Sequence, residues 1–192
     1  MNMNVLKEFL KQNNGYISSQ ELEKLGIYRV HIPKLVNNGI IRKVAHGLYI
    51  NNNLIEDEYY ILQKRYNNIV FSHNTALHLL NLSERVPYEL EVTTYYDKKI
   101  RDSVKIHYVS KEKVNIGVIT VQSPYGNPIL IYNAERCICD MIKNSKDYDP
   151  EQYSKILKTY FKSNHKNIKL LDEYARIFKV YDKLTTIMEV LM

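Results

Sequence analysis

Cysteine is scarce in this chain, which contains only Cys137 and Cys139 among its 192 residues. Two residues apart on a helix, these side chains point in different directions and cannot form a disulfide with each other there. Two thiolates also fall short of a four-ligand zinc site, and no CxxC or HxxxH pair exists to complete one. We therefore expect buried, reduced thiols, and neither a metal ion nor a cofactor.

Long apolar runs are also missing. No stretch approaches the roughly 20 apolar residues that a membrane-spanning helix needs, and no apolar run follows a basic N-terminal start. We expect a soluble cytoplasmic protein with no membrane partner.

Motifs that mark catalysis are equally scarce. The sequence has no glycine-rich phosphate-binding loop, no GxSxG and no HExxH. The histidines are scattered, and His73 and His78 lie five residues apart, a poor spacing for a shared metal on a helix. Ser72 and His73 could be a nucleophile and its base, but a helix cap explains Ser72 better. An enzyme is therefore not expected.

Positive charge is abundant and unevenly distributed. The net charge is +6, and residues 1–50 contain seven lysines and arginines against three glutamates. A quarter of the chain therefore carries two thirds of the excess, which favours a polyanionic partner for the N-terminal region.

The N-terminal region has the pattern of a helix-turn-helix. Apolar residues at helical spacing predict a first helix over about residues 3–13. Ser18 and Glu21 then fit a capping box at the start of a short second helix, which Gly26 is well placed to end. A tight turn after Gly26 leads to a third helix.

The third helix ends near Asn38, and its inward face includes Ile32 and Leu35. Pro33 is unfavourable inside a helix because it lacks an amide proton and clashes with the preceding turn. We therefore expect this helix to begin late, near residues 30–32. Its outer face is polar and basic, as in a helix that enters the major groove.

Two β-prone runs follow on either side of a turn at residues 45–47, which predicts a basic hairpin. A hairpin directly after a helix-turn-helix is a wing, so we predict a winged helix-turn-helix that binds double-stranded DNA. A small helical domain with a solvated basic face is the alternative. The candidate DNA-contacting residues are Ser19, Arg29, Val30, His31, Lys34, Asn37, Arg42, Lys43 and His46.

Several motifs resemble those of one family. After Gly39, the run Ile41–Tyr49 resembles the "L-x-R-V-x-x-G-x-Y" pattern of AbiEi-type antitoxins, with Ile in place of Leu and an Arg-Lys pair before the valine. Phe71–Leu77 is similar to the family's "S-H-x-S-A-L". Pro87–Thr93 is similar to its "P-x-x-x-x-V-T" strand.

A fourth run, Asn133–Asp140, resembles "x-x-E-R-T-x-x-D", with Cys137 in place of threonine. The resemblance covers the chain to about residue 145. It implies an antitoxin of a type IV toxin–antitoxin or phage-defence module that represses its own operon by binding inverted repeats. It further implies neutralisation of a nucleotidyltransferase-like toxin without a stable complex between the two proteins.

The remainder of the chain alternates between β-prone and helical patterns. It predicts a mixed α+β domain with a small, mostly antiparallel sheet and C-terminal helices, so the fold class is α+β. The expected strands are Ile69–Phe71, Tyr88–Thr94, Val104–Val109, Gly117–Gln122 and Ile129–Tyr132. The expected helices are Glu56–Tyr66, one capped by Ser72, one capped by Asn133, one begun by Asp149 and Pro150, Ile168–Phe178, and Tyr181–Met192.

We place the winged helix-turn-helix in residues 1–53 and an antitoxin or effector domain in residues 54–192. Arg136 and Asp140 are one helical turn apart, which favours an ion pair over a functional site. Two other functions stay open: a ligand-responsive or dimeric transcriptional regulator without a toxin, and an enzyme that acts on nucleic acid.

Overall fold

The computed structural model describes residues 3–95, 100 and 102–191. It divides into two compact units. Unit 1 consists of the described residues up to Asn67 together with Gln122–Ile129, and unit 2 consists of Asn68–Val121 and the residues from Leu130 onward. The predicted domain boundary after residue 53 stays a prediction.

Unit 1 combines short helices with a three-stranded antiparallel sheet in the order β1-β3-β2. Its core contains Leu6, Leu22 and Leu35 from the first three helices and Ile17 and Ile41 from the sheet. The helices are α1 (Met3–Gln12), α2 (Ser19–Lys24), α3 (Ile32–Asn37) and α4 (Glu58–Arg65), and the strands are β1 (Tyr16–Ser18), β2 (Ile41–Ala45) and β3 (Leu48–Asn51).

Two predicted helix starts in unit 1 are confirmed. The hydroxyl of Ser18 accepts a hydrogen bond from the Glu21 amide, and the Glu21 carboxylate accepts one from the Ser18 amide at 2.7 Å. A 3₁₀ turn over Arg29–His31 precedes α3, and Pro33 lies in the first turn of α3. Proline is tolerated there because first-turn amides have no partner within the helix.

Unit 2 contains most of a five-stranded sheet in the order β6-β5-β4-β8-β7. Its core includes Phe71, Val92 and Ile131 from the strands and Ile138 and Leu171 from the helices. The strands are β4 (Val70–Phe71), β5 (Leu90–Thr94), β6 (Val104–Tyr108), β7 (Val118–Gln122) and β8 (Pro128–Tyr132), and the helices are α5 (His73–Leu79), α6 (Ala134–Lys143), α7 (Pro150–Lys162), α8 (Ile168–Ile177) and α9 (Tyr181–Leu191).

The fold is α+β, as predicted, but the five-stranded sheet is mixed rather than mostly antiparallel. β4 pairs antiparallel with β5, whereas β4 pairs parallel with β8 and β5 pairs parallel with β6. The sequence of a strand does not show which other strand it pairs with, so the direction of each pair is set by contacts between distant segments.

The helix caps of unit 2 agree with the sequence at two positions and differ at one. Asn133 and Asp149 accept hydrogen bonds from the first turns of α6 and α7, and Pro150 begins α7. Ser72 occupies the N-cap position of α5 but makes no side-chain cap bond, so its predicted capping role is wrong. Its hydroxyl instead accepts a hydrogen bond from Oγ1 of Thr93 at 2.8 Å.

The two cysteines are buried and unpaired, as expected. Burial raises the pKa of the Cys139 thiol to about 12. Both thiols are in α6, where they pack as small apolar groups. In the described part of the chain, no helix is long and apolar enough to cross a membrane. Met192, the expected end of the last helix, lies outside the described residues.

Candidate nucleic-acid interface

The outer face of α3 and of the turn before it is exposed, as the helical pattern requires. Ile32 and Leu35 point into the core of unit 1 and are almost fully buried. The candidate contacts on the opposite side are all exposed, and Val30 retains 79% of its accessible surface. They are Arg29, Val30, His31, Lys34 and Asn37.

The hairpin formed by β2 and β3 turns through Gly47, which has a φ of +68° that favours glycine. Lys43 and His46 are exposed on this hairpin. The amide of Ser19 donates a 2.8 Å hydrogen bond to the carbonyl of Gly47, so the hairpin tip is attached to the start of α2. The hairpin therefore holds its basic side chains beside the first turn of a helix.

A groove of about 710 Å³ lies between these elements, and we call it the interface groove. Five of the nine candidate contacts line it: Ser19, Arg29, Asn37, Lys43 and His46. Val30, His31 and Lys34 are exposed on α3 and its preceding turn, outside the groove lining. The structure thus brings residues from three separate sequence segments to one concave surface.

Arg42 is the candidate that the structure places elsewhere. Its guanidinium forms an ion pair with the carboxylate of Glu56 and donates a 2.8 Å hydrogen bond to the carbonyl of Leu54. The segment after β3 therefore supplies both the negative charge and the hydrogen-bond acceptor that Arg42 contacts. In the sequence, Arg42 is equivalent to Lys43 as a candidate, because no local pattern indicates that Glu56 folds back onto β2.

Arg29 also has an acidic neighbour, since its Nε lies 3.3 Å from Oε1 of Glu23. Here the two side chains are 78% and 42% exposed. An ion pair as exposed as this contributes little to stability, and a phosphate group can compete for the arginine. Arg29 is thus more available to a polyanion than Arg42.

Lys64 lines the interface groove but was not among the sequence candidates. It projects from α4, with its Nζ 5.0 Å from the centre of the Tyr60 ring. Along the described chain, Lys34, Lys43 and Lys64 take part in no ion pair. The i,i+4 spacing of Tyr60 and Lys64 indicated only that the two side chains share a face of α4, not that this face borders the hairpin.

A buried polar cluster fixes the start of α4. The Asp57 carboxylate accepts hydrogen bonds from the Tyr60 amide, from Oγ of Ser123 at 2.5 Å and from Nδ2 of Asn127 at 2.7 Å. These partners satisfy a fully buried charge that would otherwise be costly. Within unit 1, they set the position from which α4 presents Lys64.

Unit 2 holds a second cluster that the sequence did not reveal, formed by His73, Glu91 and His107. Burial, followed by the proximity of His107, lowers the pKa of His73 to about 3. Burial opposes ionisation of Glu91, but hydrogen bonds with His107 and Asn74 outweigh it and lower the pKa of Glu91 to about 2. We call these three residues the histidine cluster.

Arg136 and Asp140 form the predicted ion pair, with Nε of the arginine 2.8 Å from Oδ2 of the aspartate. The guanidinium is fully buried between the rings of Tyr132 and Phe178. It also donates hydrogen bonds to the carbonyls of Lys113 and of Ile116. These contacts make the pair a structural element of unit 2.

The helices, hairpin and groove of unit 1 define a basic surface of the kind that regulators present to DNA. Residues 4–52 match the model of a family described as "Transcriptional regulator, AbiEi antitoxin". The family resemblance expected from the sequence is therefore confirmed for this N-terminal region, about a quarter of the chain. Among curated proteins, no match was found.

Proposed function

We propose that unit 1 is a winged helix-turn-helix that binds double-stranded operator DNA, and that the protein is an antitoxin that represses its own operon. The interface groove is the observation that carries the proposal. It joins the outer side of α3 to a basic hairpin, and among the residues that the structure describes its lysines have no acidic partner to displace. The proposal places the protein in the cytoplasm, where its operon is.

In the proposed complex, the exposed residues of α3 and its preceding turn enter the major groove. Lys34 and Asn37 are positioned to reach base edges, since lysine donates to guanine and asparagine forms paired hydrogen bonds with adenine. Val30 offers an exposed apolar surface to a thymine methyl. The short α3 limits base contacts to these few positions, so sequence is read over a few base pairs per chain.

Lys43, His46 and Lys64 form the phosphate-contacting part of the proposed interface. They line the groove on the hairpin side and belong to separate elements. Positive side chains there gain affinity from the release of counterions along the DNA backbone. Arg42 has a smaller role, because DNA must first replace its contacts with Glu56 and Leu54.

The antitoxin half of the proposal rests on the family description and on the motif resemblances in unit 2. We propose that unit 2 neutralises a nucleotidyltransferase-like toxin without forming a stable complex with it. The family is described as a regulator, which favours this function over an enzyme that acts on nucleic acid. A regulator without a toxin partner is the second candidate.

A paired assay in cells separates these functions. The full-length double variant Lys43→Ala/Lys64→Ala is expected to lose repression of a reporter driven by the protein's own promoter. It is expected to keep rescuing growth when the proposed nucleotidyltransferase-like toxin is induced. Failure of the wild-type protein to rescue growth would favour the regulator without a toxin.

The matched control is Lys158→Ala/Lys183→Ala, which removes the same charge from exposed positions on α7 and α9 in unit 2. It is expected to repress like the wild type. Equal loss of repression in both double variants would show that general charge, rather than the interface groove, governs DNA binding.

A further inference from the structure

The histidine cluster brings together three potential metal ligands from separate parts of unit 2. His73 begins α5, Glu91 lies in β5 and His107 lies in β6. One candidate ligand atom from each residue lies within 4.8 Å of the others. His73 and Glu91 each expose 4% of their surface, so the cluster is largely withdrawn from bulk water.

The three side chains are already oriented toward one another. Nε2 of His107 is 2.6 Å from Oε2 of Glu91. The rings of His73 and His107 stack with their centroids 3.4 Å apart and their planes 11° apart. A metal ion lies in the plane of each imidazole that binds it, so one of the two stacked rings has to rotate out of the stack before both histidines can coordinate one ion.

Hydrogen bonds orient these side chains. Nδ1 of His73 lies 3.0 Å from Oγ of Ser72, and its Nε2 lies 3.3 Å from Nδ2 of Asn144. An amide nitrogen donates, so Nε2 of His73 is the acceptor, and a metal that binds this nitrogen has to displace the amide of Asn144. Asn74 donates a 2.6 Å hydrogen bond to Oε1 of Glu91, which leaves Oε2 facing the histidines.

The backbone at His73 is unusual. Its φ of +49° lies in the left-handed region, which non-glycine residues seldom occupy. Such strain costs on the order of 1 kcal/mol and persists where surrounding contacts impose it, often at functional sites. Here it aims a buried imidazole at Glu91 and His107 instead of outward from the start of α5.

We propose that His73, Glu91 and His107 bind one Zn²⁺ ion. Two imidazoles and a carboxylate are a ligand set of zinc sites that keep a fourth position for water or substrate. Tetrahedral ligands at zinc distances are about 3.4 Å apart. The widest pair of donor atoms, which lie within 4.8 Å of each other, therefore has to close by up to about 1.4 Å, and the 2.6 Å contact between His107 and Glu91 has to open.

A cavity of about 280 Å³ borders the cluster at Glu91, the one proposed ligand that lines it. Its lining also includes Asn74, Arg85 and Lys105. A bound ion would therefore be reached from solvent through the carboxylate side of the cluster. This arrangement differs from a closed structural zinc site, in which protein atoms occupy all four positions.

The positive charge of Lys105 repels a cation bound beside Glu91. Its Nζ lies 3.5 Å from Oε2 of Glu91, and its side chain is 41% exposed. In the metal-free protein this ammonium supplies part of the positive charge that Glu91 needs. Zn²⁺ binding requires Lys105 to move toward solvent, so replacing Lys105 with methionine is expected to strengthen binding.

The test uses purified full-length protein from which metal has been removed with a chelator. Binding of Zn²⁺ to this protein is measured by isothermal titration calorimetry. Co²⁺ serves as a spectroscopic substitute, because its visible absorption reports tetrahedral coordination. The wild type is expected to bind one ion per chain. His107→Ala is expected to bind at least about 100-fold more weakly. Removing only an outer hydrogen-bond partner of a metal ligand weakens binding by up to about 100-fold, and this variant removes a ligand itself.

Three further variants make the result specific. His165→Ala removes an exposed histidine from unit 2 and is expected to bind like the wild type. His107→Asp keeps a ligand atom and is expected to restore part of the affinity. Lys105→Met is expected to bind more tightly, an effect that loss of a merely structural contact would not produce.

Two results would overturn the proposal. One is the absence of a one-to-one complex between wild-type protein and Zn²⁺ or Co²⁺ at concentrations of about 100 µM. At a free metal concentration of about 100 µM, even a weak site with a Kd of about 10⁻⁴ M is half occupied. The other is retention of full affinity in a folded His107→Ala variant, as judged by circular dichroism. Either result would leave the cluster as a hydrogen-bonded structural network.

Discussion

Arg42 and Glu56 form an ion pair that connects β2 to the segment before α4. Arg42 is a predicted DNA-contacting residue, but in the structure Glu56 is its acidic partner within unit 1. Removal of that partner should therefore make Arg42 available to DNA.

Glu56→Gln is expected to increase the affinity for DNA at low salt and to steepen its salt dependence. Each additional phosphate contact adds about 0.9 to the magnitude of the slope of log K against log salt concentration. The measurement is fluorescence anisotropy of a labelled duplex at several salt concentrations. Glu58→Gln is the matched control, because it removes the same charge from an exposed neighbour. Identical slopes for the two variants would contradict the assigned role of the Arg42–Glu56 pair.

The Arg136–Asp140 pair makes a prediction about stability. Arg136→Ala leaves the Asp140 carboxylate buried without its partner, so unfolding free energy is expected to fall by about 3–5 kcal/mol. The double variant Arg136→Ala/Asp140→Ala removes the unpaired charge as well, and it is expected to be no less stable than the single variant. Urea unfolding followed by circular dichroism measures both. Additive losses in the double variant would show that the two side chains do not depend on each other.

The histidine cluster predicts acid sensitivity in the metal-free protein. The pKa values of His73, about 3, and Glu91, about 2, both lie below the ordinary values of 6.5 and 4.5. The unfolded chain therefore binds more protons, and the stabilisation is complete above pH 6.5 and lost as pH falls toward these lower values. His107, Glu91, Lys105 and Arg136 are the charged or titratable groups that act on the pKa of His73.

For His73 alone, the expected loss between pH 7 and pH 4.5 is on the order of 2–3 kcal/mol. His73→Asn removes this titration, and asparagine tolerates the positive φ at this position. Urea unfolding in the presence of a chelator should therefore show a smaller difference between the two pH values for the variant. An equal difference in both proteins would mean that His73 is not held neutral by its surroundings.

Local features of the fold were readable from the sequence because they depend on neighbouring residues. The Ser18–Glu21 capping box and the late start of α3 at Pro33 follow from short-range hydrogen bonding and sterics. The hairpin around Gly47 follows from two β-prone runs and a turn. The exposed face of α3 follows in turn from the helical period of Ile32 and Leu35.

Features that join distant segments were not readable. Glu56 meets Arg42 and Lys64 reaches the interface groove only because α4 packs on the hairpin side of unit 1. His73 and His107 are 34 positions apart, and only the parallel pairing of β5 with β6 places His107 beside Glu91. No local pattern indicates such a pairing, so the histidines looked isolated.

Ser72 shows how a local reading can fail when a tertiary contact competes. Its position before α5 fits an N-cap, but Thr93 on β5 donates to its hydroxyl, and His73 lies within hydrogen-bond distance. A hydroxyl engaged by these groups makes no bond to the first turn of the helix. Thr93 is 21 residues away from Ser72, so the local sequence around Ser72 does not indicate this contact.

The central claim is that the interface groove of unit 1 binds the DNA backbone through Lys43 and Lys64. The most direct measurement is the salt dependence of binding by the purified full-length protein to a duplex from its own promoter region. For Lys43→Ala/Lys64→Ala, the slope of log K against log salt concentration should decrease in magnitude by about 1.8 relative to the wild type. The Lys158→Ala/Lys183→Ala control should keep the wild-type slope. A wild-type slope in the Lys43→Ala/Lys64→Ala variant would contradict the account.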